Sequence, residues 1–138
     1  MPFVLDASVA ACWALQDEQH IYADLARERI VTDPAIAPSL WWFEMRNILL
    51  IKERVSRITE AESAIFLGWM NRLGVELDRA PQSSEVLRLA RRYKLTVYDA
   101  AYLELAQRNR VPLATLDANL VDAAKAEGVP IIGETTGL

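Results

Sequence analysis

The sequence predicts an α/β fold in which helices cover both faces of a parallel sheet. Two observations carry this. Short apolar runs, among them Phe3-Val4-Leu5 and Leu113-Ala114-Thr115, alternate with longer helical stretches along the whole chain. The runs are also apolar without a break, the pattern of strands buried on both sides rather than of strands with one wet face.

Each element follows from local signals. Phe3 to Leu5 reads as a short buried strand, with a helix from about Ala7 to Leu15 and another from about Ile21 to Arg29. Ile36-Ala37 is the second strand, and Ser39, just after Pro38, stands where it can cap a helix running to about Arg54. Thr59-Glu60-Ala61-Glu62 is a capping box that opens a helix to about Leu73, ended by Gly74 before a strand at Val75-Glu76-Leu77. After Pro81, Ser84 can cap a helix ending near Tyr93. Thr96-Val97-Tyr98-Asp99 resembles a capping box with Asp in place of Glu and opens an apolar helix through Asn109. Leu113 to Thr115 is the next strand, a helix follows from about Ala118 to Glu127 with Gly128 at its end, and Val129 to Ile132 is the last strand.

Composition bounds the possibilities. The 138 residues suffice for one compact domain with a substantial core, and no Gly/Ser/Pro-rich stretch or charge block marks a linker, so residues 1–138 are expected to form a single domain. Hydrophobic residues make up 52% and charged residues 25%, which places the chain in the ordinary globular class. No uninterrupted apolar run approaches the roughly 20 residues needed to span a bilayer. Met1-Pro2 leads directly into the first strand without a basic region or cleavable apolar segment, so a cytoplasmic location is expected. Cys12 has no second thiol for a disulfide or zinc site and reads as a small core residue, while His20 reads as a surface or helix-start residue without a catalytic role. Trp41 and Trp42 cannot both bury their rings on one face, which points to a protein interface. The net charge of −4 does not exclude a polyanionic substrate, because four carboxylates at one metal site would account for all of it and Arg88, Arg91, Arg92 and Lys94 form a basic stretch or simply a solvated helix face.

Four acids carry the chemical signal. Asp6 and Asp117 follow strands, and in open parallel sheets sites form outside the carboxyl ends of the strands; each also fits a simple helix N-cap. Glu44 lies in Trp41-Trp42-Phe43-Glu44-Met45-Arg46-Asn47-Ile48-Leu49, apolar nearly all round, where an ionised carboxylate requires a partner. Arg46 is about 200° away around the helix, whereas Asn47 shares the face of Glu44, so the two read as a polar island. Asp99 either closes the capping box with Thr96 or joins the other acids, and Glu104, on nearly the opposite face, reads as solvated. Ser8 can bond a ligand or a helix amide, and Thr115 can orient Asp117 or end its strand. If the four acids converge at a mean separation of about 6 Å, their six pairwise repulsions at an effective dielectric of about 20 sum to roughly 15 kcal/mol. Such a nest demands protons, water or cations, and hard Mg2+ or Mn2+ ions suit all-oxygen ligands.

Val4-Leu5-Asp6-Ala7-Ser8, Glu44-Met45-Arg46-Asn47-Ile48-Leu49, Tyr98-Asp99-Ala100-Ala101-Tyr102 and Leu113-Ala114-Thr115-Leu116-Asp117, in this order, resemble the successive motifs of PIN-domain ribonucleases. The match is nearest to the VapC toxins of toxin–antitoxin pairs and spans nearly the whole chain. The resemblance implies a three-layer α/β/α sandwich, a homodimer, cleavage of RNA that depends on one or two Mg2+ or Mn2+ ions, and inhibition by a cognate VapB-like antitoxin whose tail occupies the toxin's groove. It carries the acidic quartet to Asp6, Glu44, Asp99 and Asp117, with Ser8, Asn47 and Thr115 as supporting polar residues. One departure is Asn119, which stands where some relatives have a further acid and leaves a second metal in question.

Other readings of the same architecture fit less well. A haloacid-dehalogenase-like phosphatase would need an acid where Ser8 stands, and a phospho-accepting receiver domain would need paired acids after the first strand. The alternative of a different class is a non-catalytic PIN-like module that acts through protein contacts or metal binding.

Overall fold

A computed structural model, describing residues 1–15 and 17–134, gives the chain a four-stranded parallel sheet flanked by seven helices among the described residues. The elements are β1 (Phe3–Leu5), α1 (Ala7–Ala14), α2 (Ile21–Arg29), β2 (Ala35–Pro38), α3 (Leu40–Arg54), α4 (Glu60–Leu73), β3 (Glu76–Asp78), α5 (Ser83–Tyr93), α6 (Val97–Asn109), β4 (Leu113–Ala114) and α7 (Ala118–Ala126). The strands lie in the order β3-β2-β1-β4, with Val4 paired to Ile36 on one side and to Leu113 on the other. This is the predicted α/β arrangement, a parallel sheet covered by helices.

The core explains the unbroken apolar runs. Phe3, Val4, Leu5 and Leu113 are fully buried, and α6, which packs on β1, β2 and β4, buries a continuous stretch from Ala100 to Ala106. Strand order decides where a site can form. From β1 the chain moves outward to β2 and β3, then returns to place β4 on the other side of β1, so the direction of winding reverses between β1 and β4. A crevice opens at such a reversal, outside the carboxyl ends of the two strands.

Several local expectations are corrected. The segment Val129 to Ile132 makes only an isolated parallel bridge, Ile131 to Leu113, and no strand. Pro130 lacks an amide hydrogen, so the segment attaches through the Leu113 amide to the Pro130 carbonyl and the Ile132 amide to the Leu113 carbonyl and extends no ladder. Ser39 does not cap α3: it is itself helical (φ −59°, ψ −28°) and its amide bonds the carbonyl of Asp78. Ser84 lies inside α5, whose N-cap is Gln82. The Thr59–Glu62 capping box is present in both directions, and Gly74 ends α4 at φ 69°, a left-handed conformation that glycine adopts without a Cβ penalty.

Glu104 is also corrected, being buried to 2% exposure rather than solvated. Its carboxylate accepts from Arg108 Nε (2.7 Å) and Nη2 (3.0 Å) and from the Gln82 amide, and Arg108 reaches on to Asp78 at the end of β3. Helical spacing places Glu104 opposite Asp99, but it cannot reveal that β3 and α5 close over that side.

Candidate functional site

The acid at the end of β1 is held by hydroxyls. Asp6 occupies the N-cap position of α1 yet makes no side-chain cap bond; its carboxylate accepts instead from Thr115 Oγ1 (2.7 Å) and Ser8 Oγ (2.8 Å), both on Oδ2. The same two hydroxyls also accept from amides, Thr115 from Asp117 N in its own turn and Ser8 from Leu116 N across the crevice. They therefore pin the end of β1 to the end of β4 while leaving Asp6 Oδ1 without a side-chain donor among the described residues. Ser8 thus bonds the Asp6 carboxylate and a loop amide rather than a helix amide, and Thr115, just past the end of β4, bonds both Asp6 and the Asp117 amide, since a hydroxyl donates one bond and accepts another.

Glu44 reaches the same region from α3. The hydroxyl of the fully buried Tyr102 donates to its Oε1 at 2.5 Å. This partner is the functional residue that helical spacing missed. Asn47, expected beside Glu44 as a polar island, is exposed and makes no hydrogen bond among the described residues, although both line one open depression with Trp42, Phe43, Arg46 and Leu50. Arg46 turns away and lies over the Trp42 ring, 3.7 Å from its centroid. The available signal for Tyr102 was its place three residues after Asp99 on one helical face.

Asp99 and Asp117 complete the set. The Thr96 hydroxyl accepts from the Asp99 amide (3.1 Å), so the cap of α6 uses the backbone of Asp99. Asp117 does cap α7, accepting from the Leu120 amide on Oδ1.

Charge couples Asp6, Glu44 and Asp99 to one another, and Asp117 acts on Asp99. Burial pushes the Asp6 carboxyl above its ordinary value, opposed by the Thr115 and Ser8 hydrogen bonds, and the charge of Asp99 pushes it further up. Glu44 is raised by burial and by the charges of Asp6 and Asp99, against the pull of Tyr102. Asp99 is raised by burial and by Asp117. The Tyr102 phenol is raised by burial and by the charges of Asp6 and Glu44. Desolvation and like charge both disfavour the ionised form, and no Lys or Arg among the described residues relieves them. Arg88, in the basic stretch of α5, is committed elsewhere, to Glu85 and Glu127.

Residues 3–126 match the family model of the PIN domain. The chain belongs to the PIN domain family. It is similar to the crystal structure of PAE2754 from Pyrobaculum aerophilum, with a TM-score of 0.70 and 25% identity over 96% of this chain and 92% of that one. No curated protein matches it. PIN domains are generally nucleases that use divalent metals, which places this chain among metal-dependent nucleases at the level of the superfamily.

The residues of the crevice fit such a cation in donor chemistry, since they offer carboxylate oxygens only. They form no closed cage: among the described residues, no three His, Cys, Asp or Glu side chains come together closely enough to hold one ion. An open set is compatible with Mg2+, which commonly takes one or two carboxylates, keeps several waters and completes its shell with substrate phosphate.

Proposed function

We propose that the chain is a divalent-metal-dependent endoribonuclease, a single nuclease domain over residues 1–138, and that it serves in the cytoplasm as the toxin of a type II toxin–antitoxin pair. The observation that carries the nuclease reading is the mutual repulsion of Asp6, Glu44 and Asp99 at the reversal between β1 and β4. One buried and two half-buried like charges held near one another weaken the fold, and a cation bound during function relieves them.

Asp6, Glu44, Asp99 and Asp117 would hold one or two Mg2+ or Mn2+ ions. Bound there, a divalent ion lowers the pKa of a water and offsets charge on the oxygens of a phosphodiester. The chain's own contribution is to fix the acids. Ser8 and Thr115 hold Asp6 by one oxygen, and the backbone bonds at Asp99 and Asp117 anchor their helices so that both side chains stay at the crevice. The free folded chain holds protons on Asp6, Glu44 and Asp99 more tightly than the unfolded chain does.

The toxin role rests on the motif resemblance and on an exposed apolar patch on α3, where Phe43 is 69% exposed beside Trp42, Leu50 and Ile51. Such a patch marks a protein contact, either with an antitoxin or with a second copy in a homodimer. No helix of the described residues is long and apolar enough to cross a membrane. The test is cleavage of RNA by purified protein, which EDTA should abolish and Mg2+ or Mn2+ restore; full cleavage in excess EDTA would sink the proposal. For the toxin role, expression of the chain alone should arrest growth, and a small partner should reverse the arrest. The absence of a closed three-ligand cage among the described residues favours one second reading, a non-catalytic PIN-like module, and titration calorimetry with Mn2+ separates the two.

A further inference from the structure

The geometry points to Tyr102 as a positioning residue for Glu44: its hydroxyl engages Oε1 and orients the carboxylate, so that Glu44 binds a cation through Oε2. The inference rests on the nuclease reading and deepens it.

Three observations combine. Tyr102 has no solvent-exposed surface, and its hydroxyl spends its one proton on Glu44 Oε1, 2.5 Å away on a different helix. That bond ties α6 to α3 at the crevice. Asp6 shows the same design independently, with both hydroxyl donors on Oδ2. In each of the two acids one oxygen is occupied by a hydroxyl and the other has no side-chain donor among the described residues.

The chemical consequence is specific. A glutamate side chain has three rotatable bonds, and on a half-exposed helix position it would sample many orientations and chelate with either or both oxygens. A hydrogen bond from a buried ring restricts that freedom and occupies one lone pair of Oε1, which biases Glu44 toward binding through Oε2. Donors that orient a metal-binding side chain typically matter by about 10–100-fold in metal affinity. A buried tyrosine that merely satisfies its own hydroxyl would instead affect stability alone.

The test compares the wild-type chain with Tyr102→Phe, which keeps the ring and removes only the hydroxyl, and with Glu44→Gln. Mn2+ affinity is measured by calorimetry, and the ligation mode of Glu44 by the Mg2+-minus-free infrared difference spectrum of protein carrying 13C-labelled glutamate. We expect a one-oxygen carboxylate signature in the wild type that Glu44→Gln removes, and Mn2+ binding weakened about 10–100-fold in Tyr102→Phe at unchanged helix content. Unchanged affinity in Tyr102→Phe, with binding lost in Glu44→Gln, overturns the role of Tyr102 and leaves the metal site standing. Unchanged affinity in Glu44→Gln overturns the site and this inference with it. If Tyr102→Phe fails to fold, the wild-type spectrum decides: a two-oxygen signature from Glu44 refutes the inference.

Discussion

Replacing Asp99 by Asn separates a helix cap from a member of a charged site. The cap bond of α6 runs from the Asp99 amide to the Thr96 hydroxyl and survives the substitution, so the helix loses little. What disappears is a negative charge that raises both Asp6 and Glu44 and is itself raised by Asp117. At about 6 Å, each of these three interactions is worth roughly 0.7 kcal/mol at the dielectric of water and about 3 kcal/mol at an effective dielectric of 20. Asp99 is half-exposed and the group can protonate, so solvent screening puts the total near the lower end, on the order of 1–2 kcal/mol. Metal-free Asp99→Asn should therefore be more stable than the wild type, with Tm higher by roughly 3–8 °C for a chain of this size. Mn2+ affinity and RNA cleavage should fall, the affinity by on the order of tenfold or more, equivalent to about 1.4 kcal/mol per tenfold. Thermal melts in chelator, calorimetry with Mn2+ and a cleavage assay provide the measurements. An unchanged or lower Tm together with intact Mn2+ binding would refute the reasoning and return Asp99 to a purely structural role.

Two further outcomes are expected from the same charges and from the buried network on the opposite face of α6. The carboxyls of Asp6, Glu44 and Asp99 are raised above the ordinary values of 3.8 and 4.5, so the folded chain holds their protons more tightly than the unfolded chain. Their contribution is present in full below about pH 4 and lost as pH rises through the raised values, so metal-free stability should decline upward from the ordinary carboxylate range. Saturating Mg2+ should flatten that decline, and urea melts from pH 4 to 8 with and without Mg2+ check it; identical slopes would contradict a cation at these acids. Arg108→Met should destabilise by about 3–5 kcal/mol, because it leaves Glu104, at 2% exposure, as a buried charge without its guanidinium. Chemical denaturation measures this, and a loss below about 1 kcal/mol would show that the Gln82 amide and water suffice for Glu104.

Local sequence determined most of the elements, though not the strand expected at Val129 to Ile132, and it singled out the candidate acids, for reasons that are themselves local. Unbroken apolar runs define buried strands, Thr59 with Glu62 defines a helix start, and Gly74 defines a helix end, because each depends on groups within a few residues. An acid after a strand, or one enclosed by apolar neighbours on a helix, is likewise visible without a fold. Tertiary structure alone decided the partners. Whether Asp6 caps α1 or takes the Thr115 hydroxyl depends on β4 lying beside β1, a neighbour 109 residues away in the chain. Glu44 met Tyr102, 58 residues on, rather than Asn47, because α3 and α6 present those side chains to each other across the crevice. Glu104 is buried because β3 and the start of α5 close over it. Periodicity specifies which face of a helix a residue occupies; only the packing of distant elements specifies what that face meets.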